Sequence, residues 1–329
     1  MTAAGESQAA SGGRDRWRAW AEAYGTLVVA LLVFAFCALS AETFLNPSNL
    51  RNILIQITVV GVAAIGATVV LLAGAIDLSV GGVVFLGAVV IGDLAERQGL
   101  PLPIAIAGGI VATSLMGVLS GILVAVVRVE SILATLGTLL LSAGIARLIL
   151  GPGWIVVEDD FFSSLARVPI VLNLPAMVII MVVLYLLVGQ LMQRTPFGRR
   201  VYALGNNRRA GAIAGLPLNR TMVGAFALAG ACSGIASLLL IAQVGLVSTG
   251  DAVGLEFEAI TAALIGGLSV SRGGVGRVEK TLLGAAIVGM LANFQTIRGV
   301  PPEFQVAVLG GILLLAVVTD RLVRGVREA

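Results

Sequence analysis

Apolar residues in this chain neither alternate with polar ones nor form narrow stripes; they run on for the length of a bilayer crossing. A spanning helix needs ~20 mostly apolar residues, because backbone amides find no water in hydrocarbon and must bond internally. Such stretches follow one another at 24–42, 53–73, 78–95, 102–127, 131–150, 171–191, 221–244, 255–270, 281–297 and 303–319. The pattern predicts an all-α polytopic membrane protein of about ten transmembrane helices, some short or interrupted. A transmembrane barrel would show ~10-residue segments alternating in and out, which these continuous runs are not. The stretch 255–270 is short and rich in Gly and Ala, so it spans, folds back as a re-entrant segment, or is partly broken.

Basic residues orient the helices, since short loops rich in Lys and Arg stay cytoplasmic. With both termini inside, the 21 basic residues divide sixteen inside and five outside, the five being Arg51, Arg97, Arg147, Arg167 and Arg298. The expected topology is therefore N-in, C-in. Losing a pair of crossings keeps that parity, so eight spans with re-entrant loops fit the charges as well. Residues 1–23 and 321–329 become cytoplasmic tails and 24–320 the membrane domain. Its longest outer loop is 151–170, with Glu158, Asp159 and Asp160 beside Phe161 and Phe162, and its longest inner loop is 192–220.

Composition narrows the function classes. Charged residues make up only 12%, against ~25% in soluble domains, and the 42 Gly suit close helix packing. No separate soluble or nucleic-acid-binding domain has room. Histidine is absent, and Cys37 and Cys232 sit alone in apolar runs, so neither a metal centre nor His-based catalysis is indicated. The only lysine, Lys280, is not in a GxxxxGK[ST] run. A transporter driven by ATP would have to bind it, with Mg, on another chain. The first apolar run follows Arg14, Arg16 and Arg18 and lacks a small-residue cleavage site, which marks a retained helix rather than a leader.

Two local signals stand out. In the inner loop, Asn206 or Asn207 can cap a helix over Arg208–Ala214, Gly215 suits a left-handed stop, and Pro217 prevents continuation. Its Ala210, Ile213 and Ala214 share one face. A helix of two turns is marginal alone, and physics leaves two uses for it: lying on anionic lipid or docking on a protein. Between the second and third runs, Gly74, Gly81 and Gly82 surround Asp77 and Ser79. A carboxylate at membrane depth is a functional candidate by default, yet Asp77 or Ser79 can equally cap the next helix.

The inner loop, FGRRVYALGNNRRAGAIAGLPLNR, resembles the cytoplasmic loop of sugar-type ABC importer permeases, the ribose/xylose/galactose class of the branched-chain amino acid/monosaccharide permease superfamily. The shared positions are Phe197, Gly198, Arg199, Tyr202, Ala203, Gly205, Asn207, Ala210, Ala214 and Gly215, with Gly211 and Leu216-Pro217 as departures. Three more stretches are similar to that family in order: Gly74 to Gly81 around Ile76-Asp77-Leu78-Ser79, Glu130 to Thr138, and Glu256 to Ala285, where Glu258 replaces the usual Asp and Lys280 a Gly. The resemblance implies an importer subunit without catalytic residues. Its partners would be an ABC ATPase, a periplasmic or extracellular sugar-binding protein, and a second permease copy or paralogue, in the bacterial inner membrane. It also implies that Phe197, Gly198, Arg199, Gly205, Asn207, Arg208, Ala210, Ala214 and Gly215 belong to the ATPase-coupling loop.

Candidates for the translocation path or the helix break are Asp77, Ser79, Gln243, Glu258, Asn293 and Gln295. Asn293 and Gln295 are two apart, hence on different helix faces, and a membrane amide more commonly bonds between helices than lines a pore. Two alternatives stay open: an ion-coupled transporter with Asp77, Glu256 and Glu258 relaying protons, and a permease of the same superfamily for branched-chain amino acids or nucleosides.

Overall fold

The computed structural model describes residues 24–171, 174–269 and 273–325. The expected 1–23 tail, Arg272, and Arg327 of the C-terminal tail lie outside those residues. Helices occupy all ten apolar runs: α1 (Tyr24–Ser40), α2 (Pro47–Leu72), α3 (Val80–Gly92), α4 (Leu102–Ile122), α5 (Ser131–Leu150), α7 (Ala176–Arg194), α10 (Leu218–Val244), α11 (Leu255–Ile265), α12 (Val278–Ile297) and α13 (Pro302–Gly325). Between them lie α6 (Asp160–Arg167), α8 (Pro196–Asn206) and α9 (Arg208–Ile213). Four short strands, β1 (Trp154–Val156), β2 (Pro169–Val171), β3 (Leu174–Pro175) and β4 (Leu246–Ser248), form two antiparallel ladders, β1 with β4 and β2 with β3. Among the described residues seven helices are long and apolar enough to cross a membrane, and α1, α3 and α11 are shorter. The chain is an all-α polytopic membrane protein.

Caps explain where the helices depart from the apolar runs. The second run was expected from residue 53, but α2 begins at Pro47, because the Asn46 side chain accepts from Ser48 N–H and Pro47 is preset for the first turn. The stretch 255–270 does not form one span. Helix α11 is 11 residues long, ~16 Å at 1.5 Å per residue and about half of a ~30 Å hydrocarbon core. Gly267, at φ +92°, lies just beyond its end. Residues 249–254 ahead of it are non-helical. The other break lies at 73–79, where Gly74 (φ +81°) follows the end of α2. Gly81 and Gly82 lie inside α3 rather than in the break.

These two breaks occupy matching places in two units of four helices. In α2–α5 and in α10–α13 a long helix is followed by non-helical chain, a short helix, and two long helices. Packing follows the same correspondence: α2 lies on α10, α2 touches α11 and α12 as α10 touches α3 and α4, and α3 meets α4 and α5 as α11 meets α12 and α13. Four crossings, α3, α4, α5 and α7, lie between α2 and α10, so α2 and α10 run in opposite directions and the units are inverted relative to each other, a plan found in transporters with discontinuous helices.

The packing relies on small residues and hydroxyls. A Cβ on Gly66 would lie 2.9 Å from Ala229 Cα, one on Gly121 2.8 Å from Val223 Cα, and one on Gly266 2.8 Å from Thr281 Cα, so backbone meets backbone at each crossing. Thr68 and Thr281 share a buried hydrogen bond of 2.9 Å, Ser120 donates to Thr138 at 2.9 Å, and Ser237 donates to Val84 O at 2.8 Å. Outward faces are apolar, as with Leu39, Leu140, Leu148 and Leu315, which suits a lipid surround.

Candidate functional site

Helix α7 ends at Arg194, and the chain turns into α8 because Thr195 accepts from Gly198 N–H and Pro196 takes the first helical position. The apolar pattern does not show α8, which this Thr-Pro pair signals. Phe197 packs over Gly224 of α10, and Gly198 is buried against the Met192 carbonyl. Gly205, at the far end of α8, lies on the Leu72 carbonyl that ends α2. These three positions fasten the loop to the membrane domain.

The short helix α9 forms where expected. The Asn207 side chain accepts from Ala210 N–H at 2.9 Å, Ala214 N–H returns to Ala210 O at 3.0 Å, and Gly215 takes φ +71°. Arg208, Arg209, Ala210, Ala214 and Gly215 are exposed, and Ile213 is 89% exposed. Only Gly211 is buried in α9, and a methyl there would come 3.1 Å from Leu218 Cδ2. The glycine departure thus lets α9 sit close on α10. Arg199 is exposed too, lining an open groove with Met192, Gln193, Tyr202, Gly276 and Arg277. The result is a basic surface with an apolar tip: Ile213, Ala210 and Ala214 amid Arg199, Arg208 and Arg209.

At the first break Asp77 is buried, and its Oδ1 accepts from Ser79 N–H at 2.8 Å and Ser79 Oγ at 2.6 Å. This closes a tight turn into α3, with Ser79 at the N-cap position and Asp77 supplying the acceptor. The rest of the break is held by α5, since Ser131 Oγ accepts from Ile76 N–H at 3.2 Å and Thr135 Oγ1 from Leu78 N–H at 3.1 Å. The second break uses the same device. Asp251 takes Ser248 N–H at 2.6 Å and Ser248 Oγ at 3.0 Å ahead of α11. The short helices then meet at their first turns, where the Glu256 carboxylate and the Ala252 carbonyl crowd the place a Gly81 side chain would take. Glu258 is half-buried on that same turn of α11.

The other path candidates are elsewhere. Asn293 is buried and exchanges two hydrogen bonds with Asn49, each 3.0 Å, which ties α12 to the start of α2. Asp77 lies beyond the opposite end of α2, a helix of 26 residues and so ~39 Å long. Gln295 donates to Leu291 O of its own helix at 3.2 Å, leaving its Oε1 buried without a partner. Gln243 is exposed beside Phe162 and Arg167 of α6, on the face away from α8 and α9. The interhelical use accounts for Asn293, and only Asp77, Ser79 and Glu258 belong to the interrupted centre.

Long apolar helices, two shorter helices entered through non-helical chain, and a bare basic element on one face define a multi-pass membrane transport protein. A model of the family described as branched-chain amino acid transport system / permease component matches residues 49–317. The L-arabinose ABC transporter permease protein AraH of Azospirillum brasilense is 32% identical over 312 residues, covering 93% of this chain and 89% of that one. The ribose import permease protein RbsC of Escherichia coli K12 is 31% identical over 320 residues, 95% and 98% of the two chains. The D-allose transport system permease protein AlsC of the same strain is 31% identical over 302 residues, 91% and 92%. The chain belongs to this permease family, and it is the membrane-spanning permease subunit of an ABC importer.

Proposed function

We propose that this subunit conducts a monosaccharide or a similar small polar solute into a bacterial cell across the cytoplasmic membrane, with ATP and Mg handled by a separate ATPase. The observation that carries the reading is α9, a capped helix seated on α10 through Gly211 while its outer face is bare, with Ile213 89% exposed. An isolated helix of six residues gains little from its own hydrogen bonds, so its capping and presentation serve a partner. Both termini and α8–α9 then face the cytoplasm. Two of the basic residues left on the opposite face are absorbed by the fold: Arg51 donates to the carbonyls of Ala166 and Arg167, and Arg97 to those of Ile149 and Leu150, which end α6 and α5.

A second permease, identical or paralogous, completes the path, and an external binding protein delivers the cargo. ATP-driven closure of two ATPases draws the α8–α9 elements together and opens the path outward. The arabinose, ribose and allose permeases among the relatives support a sugar as cargo, while the family description favours a branched-chain amino acid as the second reading. Uptake of labelled pentoses, hexoses and leucine by cells with and without this gene separates them. A pentose or hexose is expected to lose uptake on deletion; loss of leucine uptake alone overturns the sugar reading.

A further inference from the structure

We propose that Gly74, Gly205 and Gly273 form the joint that carries movement of α8–α9 into the interrupted centre of the permease, so that these glycines position the transport machinery rather than merely fill space. The inference rests on the reading of α8–α9 as the element that an ATPase moves.

Three segments meet there: the end of α2, the last turn of α8, and the loop before α12. A methyl on Gly273 would lie 2.7 Å from Gly205 Cα and 2.7 Å from Gly74 Cα. One on Gly205 would lie 2.5 Å from Gly274 N and still closer to the Leu72 carbonyl. Real Cβ atoms essentially never come within 3.0 Å of another heavy atom, so only glycine permits this contact. Gly274 N–H donates to Leu72 O at 2.8 Å, and the Tyr202 hydroxyl of α8 donates to Gly276 O at 3.2 Å. Loop and α2 are therefore bonded main chain to main chain, and the backbone of α8 at Gly205 packs directly on both.

Such a contact has no side-chain rotamer to absorb a displacement, and close-packed interiors transmit strain. What it moves is specific. Gly74 opens the break that runs through Asp77 into α3, and the loop at 273–277 leads into α12, which packs along the half-helix α11. One joint thus reaches the first break directly and the half-helix α11 through α12, whereas α9 touches the domain mainly through Gly211 and its neighbours.

The test is Gly273→Ala in the importer reconstituted with its ATPase and binding protein, reading cargo moved per ATP hydrolysed. The expected result is an assembled complex that hydrolyses ATP while cargo per ATP falls at least tenfold. Uptake and hydrolysis falling together, with the ratio unchanged, indicate a purely structural role and overturn the joint. Should Gly273→Ala fail to assemble, hydrogen exchange at the Gly274 amide of the wild-type importer decides. Protection in both the nucleotide-free and ATP-bound states supports a joint that moves as one piece, and loss of protection in either state overturns it. A wild-type importer that needs no ATP for uptake would overturn the functional reading itself.

Discussion

Ile213 is 89% exposed on α9, so Ile213→Asp removes no packing within the chain and is expected to shift its stability by no more than ~0.5 kcal/mol. The effect on a partner is of another size. Fully burying an isoleucine contributes ~1.5–3 kcal/mol, and at ~1.4 kcal/mol per tenfold the loss of that term weakens docking by ~10- to 150-fold. A carboxylate left in the same pocket adds a desolvation cost. Ile213→Ala isolates the apolar contribution and should fall between the wild type and Ile213→Asp. The assay is titration of the purified permease, held in nanodiscs, with its ATPase subunit, alongside the thermal midpoint of each variant. Unchanged midpoints with graded loss of affinity are predicted. Wild-type affinity in Ile213→Asp would refute docking on α9, and a collapsed midpoint would show that Ile213 packs within the chain.

Further predictions follow from the same geometry. Asn207→Ala removes the acceptor for Ala210 N–H, costs α9 ~1 kcal/mol, and should weaken the ATPase about fivefold in that titration. Asn293→Ala leaves the Asn49 amide unpaired between α2 and α12; a stability loss of ~0.6–2 kcal/mol is expected in a detergent denaturation series, with the KM for cargo unchanged if Asn293 stays out of the path. Gly284→Ala drives a methyl into the Ala262 carbonyl and should cost ~1–3 kcal/mol by parting α11 from α12, read as lower yield and a lower thermal midpoint.

Local signals were legible in the sequence and tertiary ones were not. Asn207, Gly215 and Pro217 define α9 through rules that reach only a few residues, so its cap and stop are where the chain said they would be. Hydropathy sees no caps, so it missed the polar first turn of α2 and read α11 with the non-helical residues after it as one run. The Asn49–Asn293 pair spans 244 positions, and no pattern near either residue announces it. Gly205 lies in the matched loop, and no pattern near it announces its contacts with Leu72 and Gly273 on other segments. The inverted repeat was hidden for a related reason. Its two breaks share a device, Asp77 with Ser79 and Asp251 with Ser248, but the order of the partners is reversed and no run of sequence is common to them.

In the proposed mechanism this chain supplies a gated path whose energy comes from another subunit docked at α8–α9. Uptake into sealed proteoliposomes that contain the permease, with the ATPase and ATP supplied or withheld on the α9 side and the binding protein on the other, tests it most directly. Accumulation of labelled sugar only when ATPase and ATP are both present, and insensitive to an uncoupler, is predicted. Accumulation by the permease alone, driven by an ion gradient and abolished by an uncoupler, would contradict the account.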